Sequence, residues 1–180
     1  MYRIGDKVLY GNTGVCVISD ITARKLDKED HEQLFYVLEP LYSNCTIFTP
    51  VNAEKVFMRP IISKKEADRL IDTIPTVQAE AYHNRVIRQL VDHYDSVLKT
   101  YDCTDLIELT MSIYAKKQYV EQQKRKFGAV DARYMKQAEE LLFGELAAAL
   151  DIPKEEVPEY IEKKISKYRN ESGDKAQQEE

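Results

Sequence analysis

The side chains that could do covalent chemistry in this chain are few and scattered. Cys16, Cys45 and Cys103 form no C-x-x-C pair, and His31, His83 and His93 form no H-x-x-x-H pair. Neither a disulfide framework nor a zinc site is expected from such spacing. A phosphate-cradling glycine loop, a G-x-S-x-G elbow and an H-E-x-x-H helix are all missing. Glu66, Glu139 and Glu140 sit in helical patterns that capping or solvation explains. The expectation is a protein that is not an enzyme and needs no metal or cofactor. What stands out instead is basic charge. Arg85 and Arg88 are three apart on one expected helix and share a face of it. Between residues 112 and 136, the seven basic residues Lys116, Lys117, Lys124, Arg125, Lys126, Arg133 and Lys136 meet only Glu121 and Asp131. That pattern suits contact with several backbone phosphates, which is binding without sequence readout.

The whole chain pulls the other way. Its formal net charge is −5 over 180 residues, whereas strong non-specific DNA binders carry a basic surface. A local basic face on an acidic protein reconciles the two. Charged residues make up 32% and hydrophobic residues 43%, the composition of a soluble globular protein, and no apolar run approaches the roughly 18 residues of a membrane span. Met1-Tyr2-Arg3-Ile4-Gly5-Asp6 has no apolar stretch of the kind a signal peptide needs, so a cytoplasmic location is expected.

The elements that would position these residues fall into two stretches of different period. Residues 1–62 read as β. Val8-Leu9-Tyr10, Val15 to Ile21, Leu34 to Glu39, Asn44 to Thr49 and Val56 to Ile61 are strand-like runs separated by turn residues. Val8, Val15, Val17 and Val37 are expected to face inward. Arg24 to Gln33 reads as a hairpin tip, with Asp27-Lys28-Glu29-Asp30 as its turn. Five short strands in so short a stretch suggest a small closed antiparallel barrel, since closure removes exposed edges.

Near residue 62 the period becomes helical. Ser63-Lys64-Lys65-Glu66 is a capping box, and Pro75 stops the helix that it opens. Further helices are expected at about 79–101, with Val86, Leu90, Val91, Tyr94 and Leu98 on one stripe. Others are expected at 104–126, at 132–150 with Asp131 as the cap, and after Val157-Pro158. The expected layout is α+β: a β-barrel domain at 1–62, a helical domain of four to five helices at 63–170, and a disordered acidic tail at 171–180.

Three segments carry a family resemblance. Ile4-Gly5-Asp6-Lys7-Val8-Leu9-Tyr10 with Gly14, Val15 and Ile18 resembles the opening of the CarD/CdnL transcription regulators, a module shared with transcription-repair coupling factors. Pro50 to Val56 followed by Arg59, and Ala138 to Ala147, continue it in order. The resemblance implies a Tudor-like N-terminal module that binds the RNA polymerase β subunit by β-augmentation. It also implies a helical domain that meets promoter DNA at the upstream edge of the transcription bubble. By position, Arg24 corresponds to a polymerase-contacting arginine. Phe48 stands where many members carry a second arginine; this is a departure, and an exposed Phe48 would act as an apolar anchor. The family's DNA wedge is commonly a tryptophan, and this chain has none. Tyr82 is the aromatic ring in the corresponding region. The DNA-contacting candidates are therefore Tyr82, Arg85, Arg88, Lys116, Lys117, Lys124, Arg125 and Lys126. The functional expectation is a regulator that binds polymerase and modulates open-complex stability. The rival expectation is an adaptor whose helical domain binds another protein.

Overall fold

A computed structural model of the chain describes the backbone of residues 1–24 and 32–176, with side chains described to residue 166. The chain divides into two compact units, Met1–Ile62 and Ser63–Glu180. The turn expected at Asp27-Lys28-Glu29-Asp30, like His31, lies outside the described residues.

The first unit holds β1 (Lys7–Tyr10), β2 (Gly14–Arg24), β3 (Gln33–Pro40), β4 (Ile47–Pro50) and β5 (Met58–Pro60) in one antiparallel sheet of order β4-β3-β2-β1-β5. The closed barrel expected from sequence is not formed: among the described residues, β4 and β5 remain separate edges. Closure would have to pair a four-residue strand with a three-residue one, and both end in proline, which contributes no ladder donor. β1 is joined to β2 by a single 3-10 turn at Gly11–Thr13, and Gly11 and Gly14 on either side take φ of 46° and 84°, values that cost glycine little.

The core of the sheet is Val8, Cys16, Ile18, Tyr36 and Leu38, with Tyr2, Ile21, Ile47 and Met58 packed against it. Val15 and Val37 are buried as expected, but on the other face of the sheet from Val8, and Val17 is only half-buried. Val8 lies opposite Cys16, so Cys16 and Ile18 share its face, and Val17 does not. Between Ile18 and Asp20 the β2–β3 register shifts by a bulge, after which Ile21 takes the core side. Burial pushes the Cys16 thiol up to about 11, with Cys45 nearby adding to the rise. A thiol so placed is a packing group and not a nucleophile.

The second unit holds α1 (Lys64–Thr73), α2 (Ile87–Leu98), α3 (Cys103–Gln122), α4 (Ala129–Leu150) and α5 (Val157–Ala176). The capping box forms as its residues require: the Glu66 N–H donates to Ser63 Oγ at 3.2 Å, and the Ser63 N–H donates to Glu66 Oε2 at 2.7 Å. Pro75 follows in a 3-10 turn. α2 begins eight residues later than expected. The Val86 N–H is taken by the Asn84 side chain at 2.8 Å, and Val86 stays extended at φ −89°, ψ 106°. A local side-chain acceptor has outcompeted the helix. Arg85 therefore precedes the helix that carries Arg88, and Val86 lies exposed rather than on the buried stripe. α3 ends four residues early. Lys124 takes φ 55°, its N–H donating to Glu121 O and that of Arg125 to Val120 O. These are the two bonds of a Schellman closure, with lysine at the position usually given to glycine. α5 extends to Ala176, so the tail expected from residue 171 is helical that far, and residues 177–180 lie outside the described set. Tyr160 and Lys164 of α5 tie it to α1 through Asp68, each at 2.8 Å. No described helix is long and apolar enough to cross a membrane.

Asp131 does not cap α4. Gly128 occupies the cap, and Asp131 is turned into the bundle. There it accepts from the Tyr94 hydroxyl at 2.7 Å and from Lys116 Nζ at 2.8 Å, with both charged side chains a tenth exposed or less. A Cβ on Gly128 would stand 2.7 Å from Asp131 Oδ2, so the glycine leaves room for the carboxylate. Burial, followed by the bond to Asp131, raises the Tyr94 pKa far above its ordinary value, and the phenol stays a donor. Two outcomes follow. Lys116→Met should lower unfolding free energy in urea by about 3–5 kcal/mol, because it strands a buried carboxylate, while Tyr94→Phe should cost only about 1–3 kcal/mol. Lys124→Gly should raise stability by up to about 1 kcal/mol, because a left-handed lysine is strained and glycine there is not. A destabilised Lys124→Gly protein would mean the turn is not held as described.

Candidate functional site

The two candidates in the β unit meet on one face of the sheet. After the bulge, Asp20, Thr22 and Arg24 of β2 lie on the side away from the core, Arg24 opposite Gln33. On β4, Phe48 lies opposite Val37 and so shares that side. The Arg24 guanidinium stands over the Phe48 ring, 3.6 Å from its centroid. The contact reaches across β3, and beneath it Phe35 and Val37 are 6% and 8% exposed although they face away from the main core. Phe48 itself remains 40% exposed. A cation stacked on a half-exposed ring on an edge strand gives this face a planar donor and an apolar surface side by side. Arg24 is the last residue of β2 rather than part of a hairpin tip, and its backbone is thereby held by the ladder.

Sequence reasoning missed Leu34 as a surface residue. Strand alternation marks it for the core, yet it is 45% exposed at the end of β3. It lines a groove of about 530 Å³ with Met1, Tyr2, Tyr36 and Val51. Only the end of the sheet, where neighbouring strands stop, exposes it.

The helical candidates divide. Lys116 is withdrawn from the surface by Asp131, which corrects its place in the basic cluster. Lys124, Arg125 and Lys126 are exposed in the turn after α3, and Arg85 and Arg88 are exposed at the start of α2. Lys117 is half-buried, its Nζ 6.0 Å from the Phe127 ring centroid. The Arg133 guanidinium lies 4.9 Å from the Tyr134 centroid. Setting aside the Lys116–Asp131 pair, residues 112–136 still present six basic side chains against Glu121 alone. Tyr82 lies in the extended segment before α2, not on a helix. Its ring stacks on His93 at 3.9 Å and meets Tyr94 edge-on. One face of the ring is thus already used, and Tyr82 is a packing residue more than a free wedge. Burial lowers the His93 pKa, which keeps the stacked imidazole neutral at physiological pH. Nothing in the helical periods warned of the exposed rings Tyr114 and Tyr119, the latter edge-on to His83 at 5.3 Å. Among the described residues, no group of three His, Cys, Asp or Glu side chains is placed to hold a metal ion.

Comparison with known families agrees with the first unit. Residues 2–62 match the family model described as the CarD-like/TRCF RID domain, a range that covers every strand of the sheet and both Arg24 and Phe48. The domain class marks a family of regulators and adaptors that interact with RNA polymerase. The β unit of this chain is therefore similar to the CarD-like/TRCF RID domain over its whole length.

Proposed function

We propose that this protein is a transcription regulator that docks on the RNA polymerase β subunit through the Arg24–Phe48 face and edge strand β4, and modulates the open promoter complex through its helical unit. The observation that carries this is the stacked pair on the edge-strand face of a polymerase-interacting domain. A partner strand added at β4 would find main-chain pairing along the edge and the pair beside it. Phe48 then supplies buried apolar area and Arg24 a charge-assisted bond. Phe48 in place of an expected arginine converts a two-cation contact into a cation and an anchor.

On the helical unit, the exposed residues Lys124, Arg125 and Lys126 with Arg85, Arg88 and Lys117 are the proposed phosphate contacts. They would contribute affinity without sequence preference. The effect on a promoter then depends on which step is slow. Stabilising the open complex speeds promoters limited by opening and slows those limited by escape. The adaptor reading keeps the same docking face and gives the helical unit a protein partner. The burial of Lys116, the engaged ring of Tyr82 and the net charge of −5 favour it.

Arg24→Glu should weaken binding to the isolated β subunit at least tenfold while leaving thermal stability within about 0.5–1 kcal/mol, the range of an exposed cation–π contact. A 1–62 fragment should bind β as the full chain does. A folded fragment with no affinity would place the docking face elsewhere. Lys124, Arg125 and Lys126 changed together to Ala should shorten open-complex lifetime at every promoter tested. The slope against log salt should fall by about one for each phosphate no longer neutralised, with β binding intact. Unchanged lifetimes at all salts would remove the DNA role and leave the adaptor.

A further inference from the structure

The helical unit also contains a groove of about 820 Å³, whose lining shares Tyr82 and His93 with the candidates above but none of the exposed lysines and arginines. It runs between the extended segment after α1, the outer side of α2 and the first half of α3. Its apolar lining includes Val77, Tyr82, Val97 and Leu109. Its charged lining is Glu80, Asp105 and Glu108, with no lysine or arginine, and the neutral His93. The groove therefore has a sign opposite to that of the proposed phosphate contacts. One wall is main chain. Among the described residues, Gln78, Ala79 and Ala81 make no hydrogen bond, while the segment is pinned to α3 by Ser112 Oγ donating to Glu80 O at 2.6 Å. This segment, which is neither helix nor strand, lies along the groove and itself carries Glu80, one of the three carboxylates.

We propose that this groove docks an extended segment of a partner protein in which basic residues alternate with apolar ones. The main-chain groups of Gln78 and Ala79, which line the groove, offer hydrogen bonds to an extended chain, whose period of two sends alternate side chains to opposite sides. Apolar side chains meet Val97 and Leu109, and basic ones reach Glu80, Asp105 and Glu108. The volume falls in the range of pockets that hold a few residues of peptide. A nucleic acid is disfavoured, because its phosphates would face three carboxylates and no cation. This docking does not depend on whether the exposed lysines and arginines meet DNA.

The test uses the full chain, labelled with nitrogen-15, and two capped hexapeptides, Lys-Val-Lys-Val-Lys-Val and Glu-Val-Glu-Val-Glu-Val. The lysine peptide should shift amide resonances of residues 77–82 and 105–112 and bind at least tenfold tighter than the glutamate peptide. The Glu80→Gln, Glu108→Gln double variant should bind roughly tenfold more weakly, the decrease expected from two partly exposed charge pairs. Both positions are exposed, and a thermal melt confirms that the variant is folded. A Glu155→Gln, Glu156→Gln variant, equal in charge but away from the groove, should bind as the unaltered protein does. Equal binding of the two peptides overturns the proposal. So do shifts mapping outside the groove, an equal decrease in the remote variant, or a single-stranded oligonucleotide that produces the same shifts.

Discussion

The β unit depends on one irregularity in an otherwise strict period. Strand side chains alternate faces unless the ladder gains a residue, and β2 gains one at Ser19, between Ile18 and Asp20. Before it, even-numbered residues of β2 face the core. Beyond it, odd-numbered ones do. Without the extra residue Arg24 would point to the side of Cys16 and Ile18, on the opposite face from Phe48. With it, Arg24 emerges beside Phe48. The Ser19 hydroxyl donates to Val37 O at 3.2 Å and is thereby tied to β3 at the irregular point. The Arg24–Phe48 pair is a consequence of that single inserted residue.

The helical unit rests on a different constraint, the cost of burying charge. Lys116 and Asp131 come from two helices and are taken out of water together. The Tyr94 hydroxyl from a third helix donates to the same carboxylate oxygen, Oδ1. Such a pair adds little net stability over apolar packing, but it is costly to break. Gly128 belongs to the same arrangement, since its lack of a side chain admits the carboxylate at the start of α4. A residue that looked like part of a nucleic-acid surface is instead buried against Asp131 inside the bundle.

Charge on this chain is therefore segregated rather than averaged. The formal net charge of −5 coexists with six basic residues between 112 and 136 besides the buried Lys116, and with a groove lined by three carboxylates. Local sign, not net sign, decides what a surface attracts once screening limits its reach to about 10 Å.

The sequence alone determined the α+β order, the five strands, the helical stretches, the capping box at Ser63 and Glu66, and the resemblance of its opening segments to a polymerase-interacting family. These are local properties, written in periods of two and 3.6 and in turn residues that act on their own neighbours. Tertiary structure decided the rest. An open sheet replaced the expected barrel because β4 and β5 are short and proline-ended, which matters only when strands are asked to pair. Lys116 left the basic face because a carboxylate fifteen residues away needed a partner. Arg85 and Arg88 parted because the Asn84 side chain captured the Val86 N–H before a helix could begin. The Arg24–Phe48 stack joins residues from two strands that are not neighbours. No period within either strand encodes it, since it follows from register across β3.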